Sequence, residues 1–164
     1  LLQRSGSTQQ VRRFMERRLD RIARKEERVR DEEERALDEA AIAKVLLKLE
    51  RLEYLDDARY AEGKRKSMRA RGASSRKIRS KLQEKGIDSE VVDQRFEEEA
   101  DESELKAAVR LARRRRFGPY RTKEHSRELV QKELAAIGRA GFGYGVAKRV
   151  LEMERDAADA LIQG

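Results

Sequence analysis

Ser74 to Val92 reads SSRKIRSKLQEKGIDSEVV. Ile78 and Leu82 lie four residues apart on one helical face behind an opening serine, with Arg79 next to the first of them. That is the pattern of a helix with Ser as its N-cap. Gly86-Ile87 ends it, and Val91 and Val92 begin another apolar face. The same plan stands 67 positions earlier in STQQVRRFM, where Ser7, Val11, Arg12 and Met15 match. Leu1 and Arg4 answer Met68 and Arg71, so the chain opens inside a helix. A looser third copy has Ser126, Val130 and Leu134, then Gly141-Phe142 ahead of Val146 and Val150. Recurrence at this period predicts repeats, each reading helix, helix, glycine-apolar turn, helix.

The expected fold is all-α, with three tandem three-helix repeats of which the first is incomplete at its N-terminus. Residues 1–53 form the first; residues 54–100 form the second and 101–164 the third. The spacing predicts helices at 8–27 and 37–53, with an acidic connection around 31–34. Further helices are predicted at 56–71, 75–85, 89–99, 102–116, 124–139 and 143–158. Ile42, Leu46 and Leu49, and Leu105, Ala108, Val109 and Ala112, mark narrow apolar stripes. One continuous N-terminal helix is the rival, because Met15, Ile22, Val29, Ala36 and Ala43 recur every seven residues. Its companion heptad positions hold Glu26 and Glu33, which weakens it.

Composition agrees with thin helical layers. Only 38% of the 164 residues are hydrophobic and 44% are charged, with a single proline to interrupt helices. No cysteine is present, which suits a reducing compartment and excludes disulfides and thiol chemistry. No segment approaches the roughly 20 apolar residues that cross a bilayer, and no secretory signal is visible. Because the chain begins at Leu1 rather than Met, further N-terminal sequence is expected. The formal charge of +8 is segregated: successive blocks 1–30, 31–53, 54–85, 86–104, 105–132 and 133–164 net +6, −4, +7, −8, +8 and −1. Mixed signs are usual on a solvated helix, so the segregation points to charged partners.

In YLDDARYAEGKRKSMRARG, 54–72, the end charges suit the helix dipole: Asp56 and Asp57 at the start, Arg69 and Arg71 before Gly72. Arg59, Lys64, Arg65 and Lys66 fall mid-helix, where the dipole rewards nothing. Either they are a solvated face or they meet an anionic partner. The run Arg113, Arg114, Arg115 and Arg116 has the same two readings. Arg76, Lys77 and Lys81 complete the candidate set. Tyr60, Phe117, Tyr120, Phe142 and Tyr144 either stack on bases or serve as core pegs, and beside glycine the peg is the commoner use. His125, the single histidine, has no thiol partner and reads as a surface or cap residue, so neither a metal site nor a cofactor is expected. Asp56 and Asp57 are adjacent on a helix, so they diverge and do not form a general acid/base pair. Gly141 to Gly145 lacks the Lys-Ser/Thr of a P-loop. Three readings remain: a non-enzymatic binding protein, a DNA-binding module with the Ser75–Phe96 pair as a helix-turn-helix, and a self-associating helical scaffold.

Arg51 to Asp88 resembles the central signature of the RecX regulatory proteins, in Leu55, Asp56, Asp57, Ala58, Arg59, Tyr60 and Ala61 followed by a basic helix. The likeness runs on to Gly141-Phe142. Glu53 departs from it, standing where the family has a turn glycine, as does the insertion after Arg24. The resemblance implies an elongated array of three three-helix repeats and a monomer of the bacterial cytoplasm. It also implies binding in the groove of the RecA filament on single-stranded DNA, restraining recombination and SOS-related activities. On this reading Arg59, Lys64, Arg65, Arg69, Arg71, Arg76, Lys77, Lys81 and Arg113 to Arg116 meet RecA or DNA.

Overall fold

The computed structural model describes residues 6–97, 101–122 and 126–163. Among these it has nine α-helices, one 3-10 turn and no strand. In chain order they are α1 (Thr8–Lys25), α2 (Glu32–Arg51), α3 (Asp57–Ala70), α4 (Ser75–Glu84), α5 (Ser89–Glu97) and α6 (Asp101–Arg115). The 3-10 turn (Gly118–Tyr120), α7 (Arg127–Arg139), α8 (Tyr144–Glu152) and α9 (Arg155–Gln163) follow. Leu1 and Arg4 lie outside the described residues, as do Glu98, Glu99 and His125. The chain divides into two compact units, Leu1–Ala61 with Leu82–Val92, and Glu62–Lys81 with Asp93–Gly164.

In the first unit α1 and α2 pack side by side. Ile42, Leu46 and Leu55 are buried against Val11, Met15, Leu19 and Leu49. A continuous N-terminal helix is excluded, because Glu27 takes a left-handed φ of 52° between α1 and α2. The heptad residues Ile22 and Val29 are 42% and 87% exposed, as expected of a pattern that makes no core. The expected acidic connection at 31–34 is the start of α2: Asp31 is its N-cap, Glu34 closes a capping box, and Glu32 and Glu33 fill the first turn. Acids there are stabilised by the positive end of the helix dipole, which moves the boundary back from residue 37. Arg30 ties the hairpin, ion-paired to Asp20 of α1 and, at 2.6 Å, to Asp38 of α2.

The second unit is built around α6. Leu105, Ala107, Ala108, Val109, Leu111 and Ala112 are all buried, against Ile137 of α7, Ala147 and Val150 of α8, and Ala158 of α9. Alanines on this helix let its neighbours approach closely. Phe142 and Tyr120 are buried in the same core, so both are pegs, and the Tyr120 hydroxyl donates to Asp159 at 2.8 Å. Burial and that hydrogen bond push the Tyr120 phenol up to about 12. Buried Glu133 accepts from Gly118 N at 3.0 Å and pairs with Arg121 at 2.5 Å. The expected helix over 143–158 is two helices, since Met153 is extended (φ −73°, ψ 141°) between α8 and α9. Helix α7 begins at Arg127, capped by Ser126, three residues later than the spacing predicts.

The repeated serines make the same contacts in each unit. In the first, Ser7 Oγ accepts from Gln10 N and donates to Lys85 O at 2.5 Å, while Thr8 N donates to Asp57 Oδ1 at 2.8 Å. In the second, Ser74 Oγ accepts from Lys77 N and donates to Ala140 O at 2.7 Å, while Ser75 N donates to Glu104 Oε2 at 3.0 Å. Both carbonyls directly precede a glycine, Gly86 or Gly141, with φ of 74° and 95°. A Cβ on Gly86 would lie 2.5 Å from the Gln9 side chain, and one on Gly141 would lie 2.4 Å from Ser74 Oγ. Glycine is therefore required at both positions by backbone conformation and by close approach.

Candidate partner interface

Helices α3, α4, α6 and α7 of the second unit enclose an open groove of about 440 Å³. Its cations come from the C-terminal ends of α3 (Arg71), α6 (Arg114, Arg115) and α7 (Arg139), and from the first turn of α4 (Lys77). Half-buried Met68 and Ala136, over buried Leu111, supply an aliphatic floor, and no acid lines it. All five bases are exposed. Arg114 is aimed by its own hydrogen bond, donating from Nη1 to Arg71 O at 2.6 Å. Two shallower depressions extend the basic surface, one with Arg110 and Arg113 beside Arg71 and Arg114, the other with Arg76 beside Lys77 and Arg139. Basic residues at helix C-termini are each stabilised by about 0.3–1 kcal/mol through the dipole, a local benefit that does not require three such ends to converge.

Six of the candidate bases thus gather on one surface: Arg71, Arg76, Lys77, Arg113, Arg114 and Arg115. Arg69 is a correction. It is 6% exposed, ion-paired to Glu104 at 2.6 Å, and donates to Ala73 O at 2.9 Å and to Ser75 Oγ. Its guanidinium is spent inside the fold and cannot meet a partner. Arg65 pairs with Glu62 along α3 at 2.9 Å, and that hydrogen bond is the main cause that holds the Glu62 carboxyl down to about 2. Lys64 and Lys81 are half-buried and line no part of the groove, whereas Arg59 is exposed on the first unit. Arg116 turns away from helical geometry with φ 59°, ending α6. Sequence reading missed Arg110 and Arg139. Arg139 had a signal in its place just before Ala140-Gly141, where a helix end is marked.

The acidic pair is structural. Asp56 Oδ1 accepts the Arg59 N–H at 2.8 Å at the start of α3, and Asp57 takes Thr8 N. Leu55 and Ala61 are buried, and Tyr60 is half-buried. Glu53, at the family's glycine position, has a left-handed φ of 57°. The turn is nonetheless tight, with Tyr54 N bonded to Leu49 O at 2.9 Å.

Residues 56–94, spanning α3, α4 and most of α5, match the family profile described as RecX, second three-helix domain. A regulatory protein RecX of Myxococcus xanthus is 41% identical over 115 residues, covering 69% of this chain and 62% of the relative. The chain belongs to the RecX family. A second RecX regulatory protein, from Agrobacterium fabrum, is 36% identical over 111 residues, 68% of this chain and 59% of that one. The chain thus spans about three fifths of the length of these curated RecX relatives, both bacterial. No solved structure gives a significant match. The RecX profile covers the acidic-pair motif and the bases Arg71, Arg76 and Lys77, while Arg114, Arg115 and Arg139 lie beyond it. No described helix is long and apolar enough to cross a membrane.

Proposed function

We propose that this RecX-family chain is a non-enzymatic regulator that binds the RecA recombinase filament on single-stranded DNA and restrains its recombination and SOS-related activities in the bacterial cytoplasm. The observation that carries the reading is the acid-free groove of five exposed cations on and beside a RecX domain. A filament of protein and nucleic acid offers anionic surface at every subunit. The two serine clasps support repetition of one helical plan, which the reading extends to three tandem repeats of a monomer that meets successive filament subunits. Employment of Asp56 and Asp57 in capping supports the absence of catalysis.

The test adds the protein to preassembled RecA filaments on single-stranded DNA and follows ATP turnover and filament length. Suppression at substoichiometric amounts is expected, and Arg114→Glu with Arg139→Glu should weaken it at least tenfold while the chain keeps its helical signal at the assay temperature. Unchanged turnover with the wild-type protein, or equal suppression by the double variant, refutes the reading. Binding confined to bare DNA, falling steeply with salt, would instead establish a DNA-binding module.

A further inference from the structure

We infer that the groove of the second unit receives an acidic, aliphatic peptide segment of the protein partner, not the phosphates of DNA. This rests on the proposed function, in that the groove is taken as the contact face. Its five cations call for an anion, and both kinds of ligand provide one. The floor separates them. Met68 and Ala136, both half-buried, offer aliphatic surface over the buried Leu111, and no aromatic side chain lines the groove. Single-stranded nucleic acid takes much of its affinity from bases stacked on aromatic rings, about 1–3 kcal/mol each. In this unit Tyr120, Phe142 and Phe96 are buried, and exposed Tyr144 lines a different depression. A phosphate chain leaves an aliphatic floor unused, whereas leucine-like side chains between carboxylates fill it.

The backbone around the groove argues the same way. The one helix N-terminus at the groove, that of α4, would be the natural phosphate seat. Two of its first three amides are already engaged, Ser75 N by Glu104 and Lys77 N by Ser74 Oγ.

Fluorescence anisotropy of the whole chain with two labelled probes tests this: an amphipathic peptide of glutamate and leucine, and an oligothymidine. The peptide is expected to bind, to weaken roughly tenfold with Arg114→Glu, and to weaken again with Met68→Lys, which removes apolar floor while adding charge. Oligothymidine should bind no more weakly to Met68→Lys than to wild type. Met68→Gln, which adds no charge, serves if the lysine variant loses its helical signal, and should weaken the peptide alone. Oligothymidine binding that is lost with Arg114→Glu and tightened by Met68→Lys, with no peptide binding, overturns the inference; so does failure of both probes. RecA ATP turnover in the same preparations keeps the two ideas apart. Suppressed turnover without peptide binding leaves the proposed function standing and this inference refuted, while peptide binding without suppression does the reverse.

Discussion

Replacing Arg69 with alanine should destabilise the second unit by about 3 kcal/mol, because it strands a carboxylate inside the fold. Arg69 is 7% exposed at its side chain and Glu104 20%. Breaking a buried pair by removing one partner costs about 3–5 kcal/mol, and the lower end applies because Glu104 keeps Ser75 N at 3.0 Å and Ser75 Oγ at 2.5 Å. For a chain of this length each kcal/mol lowers the melting midpoint by about 2–4 °C, so a fall of about 6–12 °C is expected by circular dichroism. Arg115→Ala, at the exposed rim of the groove, should move it by less than about 2 °C, in line with ordinary surface substitutions of within about 0.5 kcal/mol. Removing both charges with Arg69→Met and Glu104→Gln keeps an acceptor for Ser75 N and should recover much of the loss. If Arg69→Ala melts with the wild type, or the double variant melts lower than Arg69→Ala, Arg69 is not the buried partner described above.

Ser74→Ala removes an N-cap and the donor to Ala140 O together, an expected loss of about 2 kcal/mol, and Ser7→Ala should cost a similar amount in urea unfolding because its contacts are the same. Glu53→Gly relieves a left-handed backbone and should raise stability by roughly 0.5 kcal/mol, read as a higher denaturation midpoint; a lower midpoint would show that φ is not the limiting strain there. Glu62 has a folded-state carboxyl held near 2, below the usual 4.5, so its contribution is complete above pH 4.5 and disappears as pH falls from about 4.5 to about 2. Glu62→Gln should flatten that part of the stability–pH curve and leave neutral behaviour close to wild type once the constant loss is subtracted.

Several features were legible in the residue order because they are local. A serine followed four and eight residues later by apolar side chains is a capped helix wherever it stands, and Ser7, Ser74 and Ser126 all cap as their spacing predicts. The all-α class follows from the same short-range rules, and the match to residues 56–94 rests on motif residues that lie close together. Other boundaries escaped for local reasons read the wrong way. Acids at 31–34 signal polarity and helix start alike, and Met153 carries no proline or glycine to announce the break between α8 and α9.

Tertiary structure alone decided what each charge is for. Arg69 and Arg71 are two residues apart in one basic run, yet the first is consumed by Glu104, 35 positions on, and the second opens onto the groove. Arg139, from a third helix, joins that groove, although its place before Ala140-Gly141 marks only a helix end. A cation's role depends on whether an acid comes within ion-pair distance and whether water can reach it. Both depend on the packing of α6 against helices distant in the chain, a long-range property that hydrophobic period and capping pattern do not encode.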